Sequence, residues 1–307
     1  MEIRPTDYKF GDNKIVFKAV IQTGDWSNHM WFNETQLLLD GQDTDDCVPF
    51  SVQESFDMQM DALISNGTIP IELVNSFTTL GYMDSVNSTD KLPHFHSSPR
   101  FLGIMTGNKQ NGNSTQEVYD VLRQYGTLPY TDLPPNVDTA AEYYAPATAA
   151  QLAKAAQFLA LLGGKNAVLY HALNQGSPKN MAQIAQALQQ APLQAGVAVA
   201  ANWNQTIPSP DPAEGATPEH CVSIYKQDGL QLPFEDHYVP FLKTFDAGYP
   251  INWISQVVVI PIIQEVAPIV NEVAQIVPEI AEQPPAEQPK LIQVADEIIK
   301  DIEEILA

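Results

Sequence analysis

Cysteine is scarce in this chain: two residues in 307, Cys47 and Cys221. At most one disulfide can form, which excludes a disulfide-stapled scaffold. Basic residues are few as well, 15 Lys and Arg against 37 Asp and Glu, for a net charge of -22. A surface that negative repels nucleic-acid phosphates and anionic lipid, so neither is expected as a partner. Long apolar runs are missing: the longest, Val257 to Ile263, falls far short of the roughly 20 residues that cross a bilayer. The opening MEIRPTDYKFGDNK has no apolar stretch of the kind a signal peptide needs. A protein kept inside a cell, or assembled into something made there, is therefore expected. No glycine loop for phosphate is present, since Gly163-Gly164 follows a helical run rather than a strand. The acidic stretch Asp40 to Asp46 lacks EF-hand spacing and its closing glutamate. The pair His94-x-His96, without a nearby Cys or carboxylate cluster, reads as a flexible loop rather than a metal site. No cofactor and no metal are expected.

What is present divides the chain into a body, residues 1–260, and an acidic tail, residues 261–307. In the body, helical patterns come first. A helix is expected from Cys47 to about Asn66-Gly67, a weaker one over Leu73 to Leu80, and another from Thr115 to Gly126. A long Ala- and Leu-rich one starts near Pro146 and stops at Gly163-Gly164, and a last one covers Asn180 to Leu188. Asp84 to Pro99 reads as a polar loop. The period then changes to that of strands: Gly196 to Ala201, Cys221 to Tyr225, Leu230 to Tyr238 and Ile254 to Ile260. Helices followed by strands are the pattern of an α+β fold. Trp26, Trp31 and Phe32 are expected to pack onto the core. The tail repeats at seven residues (EVAPIVN, EVAQIVP, EIAEQPP), is broken by Pro268 and Pro278, and ends in an amphipathic helix after the Pro284 to Pro289 linker. With ten acidic residues and two lysines from Pro261 to Ala307, it suits docking to a partner or self-association.

The chemistry centres on Cys47. It opens an amphipathic helical run with Phe50, Phe56, Met60 and Leu63 at helical spacing, Val52 on a flank, and Pro49 in the first turn. Asp45 or Asp46 suits the N-cap. Backbone N–H groups and the helix dipole at such a position favour a thiolate, whereas carboxylates of Asp45 or Asp46 turned toward it would oppose one. A thiol nucleophile needs a base, a group that orients the base, and oxyanion donors. His220 opens the strand His220-Cys221-Val222-Ser223-Ile224-Tyr225 and suits the base. Asp236, past the turn Gln227-Asp228-Gly229, falls on the expected neighbouring antiparallel strand and suits the orienter, with Glu235 or Asp228 as alternatives. Gln42, five residues before Cys47, suits an oxyanion donor beside the Cys47 backbone N–H. Cys221 points to the opposite face from His220 and is expected in the core.

A glutamine, then a cysteine starting a helix with Phe50-Ser51 shortly after, then a distant histidine opening a strand, resembles the papain-like cysteine peptidases. The resemblance spans roughly residues 20–260. It is similar in particular to divergent papain-like proteins of bacteriophages, through Asp45-Asp46-Cys47-Val48-Pro49-Phe50-Ser51, Pro99-Arg100-Phe101-Leu102, Thr106-Gly107 with Asn111-Gly112-Asn113, Ala191 to Val197, and Phe234-Glu235-Asp236-His237-Tyr238. It implies a two-lobe fold, one lobe helical and one β-barrel-like, with Cys47 as nucleophile, His220 as base, Asp236 as orienter and Gln42 as oxyanion donor. It implies a protein or peptide substrate, and a place in a host cytoplasm or a virion. A papain-shaped virion or assembly component without catalysis, and an amidase or acyl transferase on the same triad, are the other functions compatible with these residues.

Overall fold

The computed structural model describes residues 8–9, 19–36, 38–39, 42–107, 112–175, 180–213 and 215–260. The chain divides into Met1–Ile262 and Ile263–Ala307. The tail, its heptads and its final helix lie outside the described residues.

Seven helices are described: α1 (Cys47–Ser65), α2 (Ile71–Leu80), α3 (Pro99–Met105), α4 (Thr115–Tyr125), α5 (Ala140–Tyr143), α6 (Ala149–Leu162) and α7 (Met181–Leu188). Their ends follow local chemistry. Ser114 with Glu117, and Thr148 with Gln151, form capping boxes that start α4 and α6, and Gly163 in the left-handed region stops α6. The long Ala-rich helix thus begins at Thr148 rather than Pro146, because the capping pair supplies partners for the free N–H groups. The strands are β1 (Tyr8–Lys9), β2 (Leu38–Leu39), β3 (Gln42–Asp43), β4 (Met83–Asp84), β5 (His94–Phe95), β6 (Val168–Gln175), β7 (Leu193–Val197), β8 (His220–Ile224), β9 (Leu232–Glu235), β10 (Leu242–Phe245) and β11 (Trp253–Val259). One sheet has the order β1-β6-β11-β7-β8-β9-β10; its pairings are antiparallel except β1 with β6. Helix-rich and strand-rich halves make the protein α+β. Strand β10, carrying Lys243, had no alternating pattern strong enough to be expected.

Helix α1 is buried on every side: all residues from Val48 to Leu63 are buried, polar ones included. An amphipathic helix was the expectation; a central one is found, because most of its polar side chains have partners of their own, Glu54 being an exception. Ser51 and Ser55 meet Ser223 of β8, each at 3.2 Å. The Gln59 amide donates to the Val257 carbonyl at 2.8 Å and accepts from the Val259 N–H at 3.0 Å. The Asp57 carboxylate accepts from the Ser97 N–H and hydroxyl at 2.9 and 2.7 Å. Asp61 accepts from Trp31 and contacts His29 and His94, each at 2.8 Å. Burial without partners would cost about 1–3 kcal/mol per polar group, so these bonds specify where α1 sits. Apolar packing fills the rest. Trp26, Ala187, Leu193, Val222, Ile224, Phe234 and Phe245 form a core beside the sheet. Phe56, Phe77, Tyr82, Phe95 and Phe158 form an aromatic cluster among the helices.

The segment from His94 to Ser98 is a correction. It is buried rather than a flexible loop. His94 bridges Asp61 and Asp90, and His96 bridges Asp84 (3.0 Å) and Glu34 (2.6 Å), so Asp61 and Glu34, distant in sequence, join the nearby Asp84 and Asp90 in holding the segment. Trp31 stacks on His94 at 4.0 Å and Phe32 on His96 at 3.6 Å, while Trp26 is fully buried and donates to the Leu188 carbonyl. The lead-in aromatics thus pack on the core, as expected.

Gly103 of α3 sits against Asp46, the residue before Cys47. A Cβ there would stand 2.5 Å from Asp46 Oδ2 and 2.9 Å from its Oδ1. Gly103→Ala is therefore expected to destabilise by about 1–3 kcal/mol through overpacking. It should also displace the start of α1, read as a lower melting temperature together with a changed Cys47 alkylation rate.

Candidate active site

Cys47 is the first residue of α1 and is half-buried. Asp45 approaches it in the left-handed region at φ 52°, a conformation Asp tolerates, and this turns the chain into the helix. Asp46 occupies the N-cap position, but its carboxylate does not cap. It is fully buried, faces Gly103 and accepts from the Tyr143 hydroxyl at 2.5 Å. Tyr143 is held in turn by Arg100, whose guanidinium donates to the Tyr143 carbonyl at 2.7 Å and to that of Pro134 at 3.1 Å. The expected cap is thus corrected: Asp46 serves a hydroxyl, and the first-turn N–H groups have no side-chain acceptor from it.

His220 begins β8 and is 7% exposed. Register pairs Ser223 with Glu235, so Asp236 follows β9 next to the start of β8, across the antiparallel pair. His220 Nε2 lies 2.8 Å from Asp236 Oδ1, and the ring also hydrogen-bonds Cys47. With Nε2 engaged by Asp236, Nδ1 is the nitrogen left for the thiol. Burial alone would depress the His220 pKa, but the bonds and charges of Asp236 and Cys47 outweigh it and lift the imidazole to about 9. Asp236 is pushed up by burial and more strongly down by His220, His237 and Lys243, and it stays ionised below the ordinary carboxylate range. Cys47, His220 and Asp236 are thus brought together. Glu235 turns to the other face of β9, and Asp228 lies in the exposed turn, so neither alternative reaches His220.

Three further described residues surround the pair: Lys243 and Trp203, which no sequence pattern marks, and His237, which sequence places only within the run Phe234 to Tyr238. Lys243 of β10, fully buried, forms an ion pair with Asp236 Oδ2 and donates to the Tyr238 carbonyl at 3.2 Å. Trp203 donates its indole N–H to the same Asp236 oxygen at 2.8 Å, meets His220 edge-on at 5.3 Å, and carries the Lys243 ammonium 5.1 Å from its ring centre. Asp236 therefore has an acceptor bond on each side, one oxygen for His220 and one for the Lys243–Trp203 pair. His237 is buried 4.8 Å from the His220 ring with neither ring nitrogen hydrogen-bonded. Burial, then the neighbouring His220 charge, depresses it to about 3 and keeps it neutral. His220, Asp236 and His237 present ligand atoms within 4.8 Å of one another. The Lys243 ammonium on Asp236 makes that group a poor cation site, as like charge opposes entry.

Gln42 lies on β3, where its backbone pairs with Leu39. Its side chain falls outside the described residues. Cys221 is 1% exposed, and burial raises its thiol well above the ordinary range, in agreement with a core cysteine. Among the described residues no helix is long and apolar enough to cross a membrane. No protein-family model and no curated protein matches the chain.

Proposed function

We propose that the protein is a papain-like thiol hydrolase that cleaves amide bonds in a protein or peptide. The observation that carries this reading is the His220 ring held between Cys47 at a helix start and an ionised, doubly clamped Asp236. In that arrangement the proton sits on His220 and the Cys47 thiolate attacks the carbonyl carbon. First-turn N–H groups of α1, among them that of Cys47, face the developing oxyanion, with Gln42 the proposed second donor. His220 then protonates the leaving amine, and a thioester to Cys47 forms as the C–N bond breaks. Water, deprotonated by His220, attacks the thioester, releasing the acid and restoring the thiol. Trp203 covers the His220–Asp236 bond and keeps water from competing for it. The resemblance to phage papain-like proteins supports a host-cytoplasm or virion setting, and the tail composition supports a protein partner or self-association.

A peptidyl acyloxymethyl ketone offered to the full chain is expected to form one adduct, located on Cys47 by peptide mapping. Cys221 should stay unlabelled, and His220→Ala should lose the adduct. Labelling of neither cysteine, or equal labelling in His220→Ala, would support a non-catalytic papain-shaped binding or assembly component instead.

A further inference from the structure

Glu235 points away from Asp236, into a cavity behind α1. Its floor is Glu34, Gln53, Glu54, Asp57 and Glu235, all buried, and its mouth includes half-buried Met30, Trp31 and Phe32. The space amounts to about 300 Å³ with the open mouth included, and its centre takes one water-sized group. Glu54 lies two turns below Cys47 on α1, roughly 10 Å along the axis, so the cavity is apart from the thiol.

Four carboxyl groups and an amide meet there, and much of their hydrogen-bonding capacity is unused. Both Glu54 oxygens, Glu34 Oε2 and Gln53 Oε1 are buried without a hydrogen bond, and Glu54 is only 7% exposed. Ser223, the hydroxyl beside Glu54, gives its proton to the Ser51 carbonyl at 2.7 Å. Among the described residues, the lining holds no lysine or arginine. His29 lines the cavity but is bound to Asp61, and His96 is bound to Glu34 and Asp84. These unpartnered acceptors call for a donor-only group carrying positive charge. Among the described residues, no three of these carboxylates come close enough together to hold a metal ion. An ammonium answers acceptor oxygens with its own N–H donors and is satisfied by two or three of them, where calcium asks for about six to eight. The mouth, with Met30, Trp31 and Phe32, suits a methylene stem.

We infer that this cavity binds a primary ammonium group, presented as a lysine side chain of a partner protein or peptide. The site works independently of Cys47. Ammonium binding must draw the floor into its charged form, so affinity rises with pH. Asp57 and Glu235, with Glu34, Glu54, Asp236, His29 and His96 around them, hold their protons to about 7 and about 8 when no cation is present.

The test is calorimetric titration of the full chain with n-butylammonium chloride as the lysine-tip probe, at pH 5.5 and 8.5. Saturable binding about tenfold tighter at pH 8.5 is expected, equal in Cys47→Ala and at least tenfold weaker in Glu54→Gln. The Glu54→Gln variant should melt no lower than the parent, since it removes a strained buried acid, and this separates lost binding from lost fold. Tetramethylammonium, which has no N–H, should not compete. Absence of saturable binding at pH 8.5, or binding unchanged in Glu54→Gln, would overturn the inference. So would tighter binding of calcium or methylguanidinium in parallel titrations, which would reassign the floor to a metal or an arginine head.

Discussion

Thermal unfolding followed against pH is expected to show greatest stability at about pH 4 to 5 and a steep decline toward pH 8. The cause is a set of buried groups that keep protons the unfolded chain gives up. Burial and then the Glu34 charge raise Glu235 from 4.5 to about 8, and burial raises Asp57 from 3.8 to about 7. Glu54 moves the same way, with burial and then Glu235 as causes. For each of these acids the unfolded form ionises first, so stability falls as pH rises from the ordinary value to the folded one. His220 and His96 are lifted from 6.5 to about 9 despite burial, by Asp236 with Cys47 and by Glu34 with Asp84. Their contributions are full below pH 6.5 and are lost as pH passes 9. In the opposite direction, His237 is held at about 3 by burial and His220, so its neutral burial costs stability as pH falls from 6.5. Asp84 and Asp236, both held below the ordinary range, lose their contribution below pH 3.8. Each such proton is worth about 1.4 kcal/mol per pH unit, so the fall from pH 5 to 8 should be on the order of several kcal/mol. The net charge of -22 acts in the same sense, because self-repulsion eases near the sequence pI of about 4.4. A melting-temperature maximum at pH 7 to 8 would contradict a protonated acid cluster behind α1.

Asp236→Ala is expected to cost about 3–5 kcal/mol, the usual loss when one member of a buried ion pair is removed. Lys243 would keep the Tyr238 carbonyl and the Trp203 ring but lose its anion, and the Trp203 indole N–H would lose its acceptor. His220 would be left without its orienting bond. Denaturant unfolding measures the cost. Asp236→Asn, which keeps an oxygen for one neighbour but not the charge, should fall between Ala and the parent. If Asp236→Ala unfolds like the parent, Lys243 is not held as described.

These two expectations mark what the sequence could and could not disclose. Cys47 at a helix start, His220 opening a strand and Asp236 across the next hairpin were legible, because caps, turns and period-two alternation are local signals. The antiparallel register of β8 with β9 then brought His220 and Asp236 together. Lys243 and Trp203 were illegible: one sits on a short strand without clear alternation, the other in a loop, and only three-dimensional packing brings both to one carboxylate oxygen. The polar residues of α1 misled in the same way. Gln53, Glu54, Asp57 and Asp61 resemble a solvated face in sequence, yet each is buried against residues dozens of positions away. The burial of the His94–His96 segment is illegible for the same reason, since Asp61 and Glu34 lie 33 and 62 residues from their histidine partners.

The most direct measurement of the central claim is the rate of Cys47 alkylation by iodoacetamide from pH 4 to 9, in the parent and in His220→Ala. A thiolate–imidazolium pair predicts fast alkylation that persists well below the free-thiol pKa of about 8.5 and is lost in His220→Ala. A single slow titration near that value, unchanged by the substitution, would contradict the proposed hydrolase and favour a non-catalytic binding component.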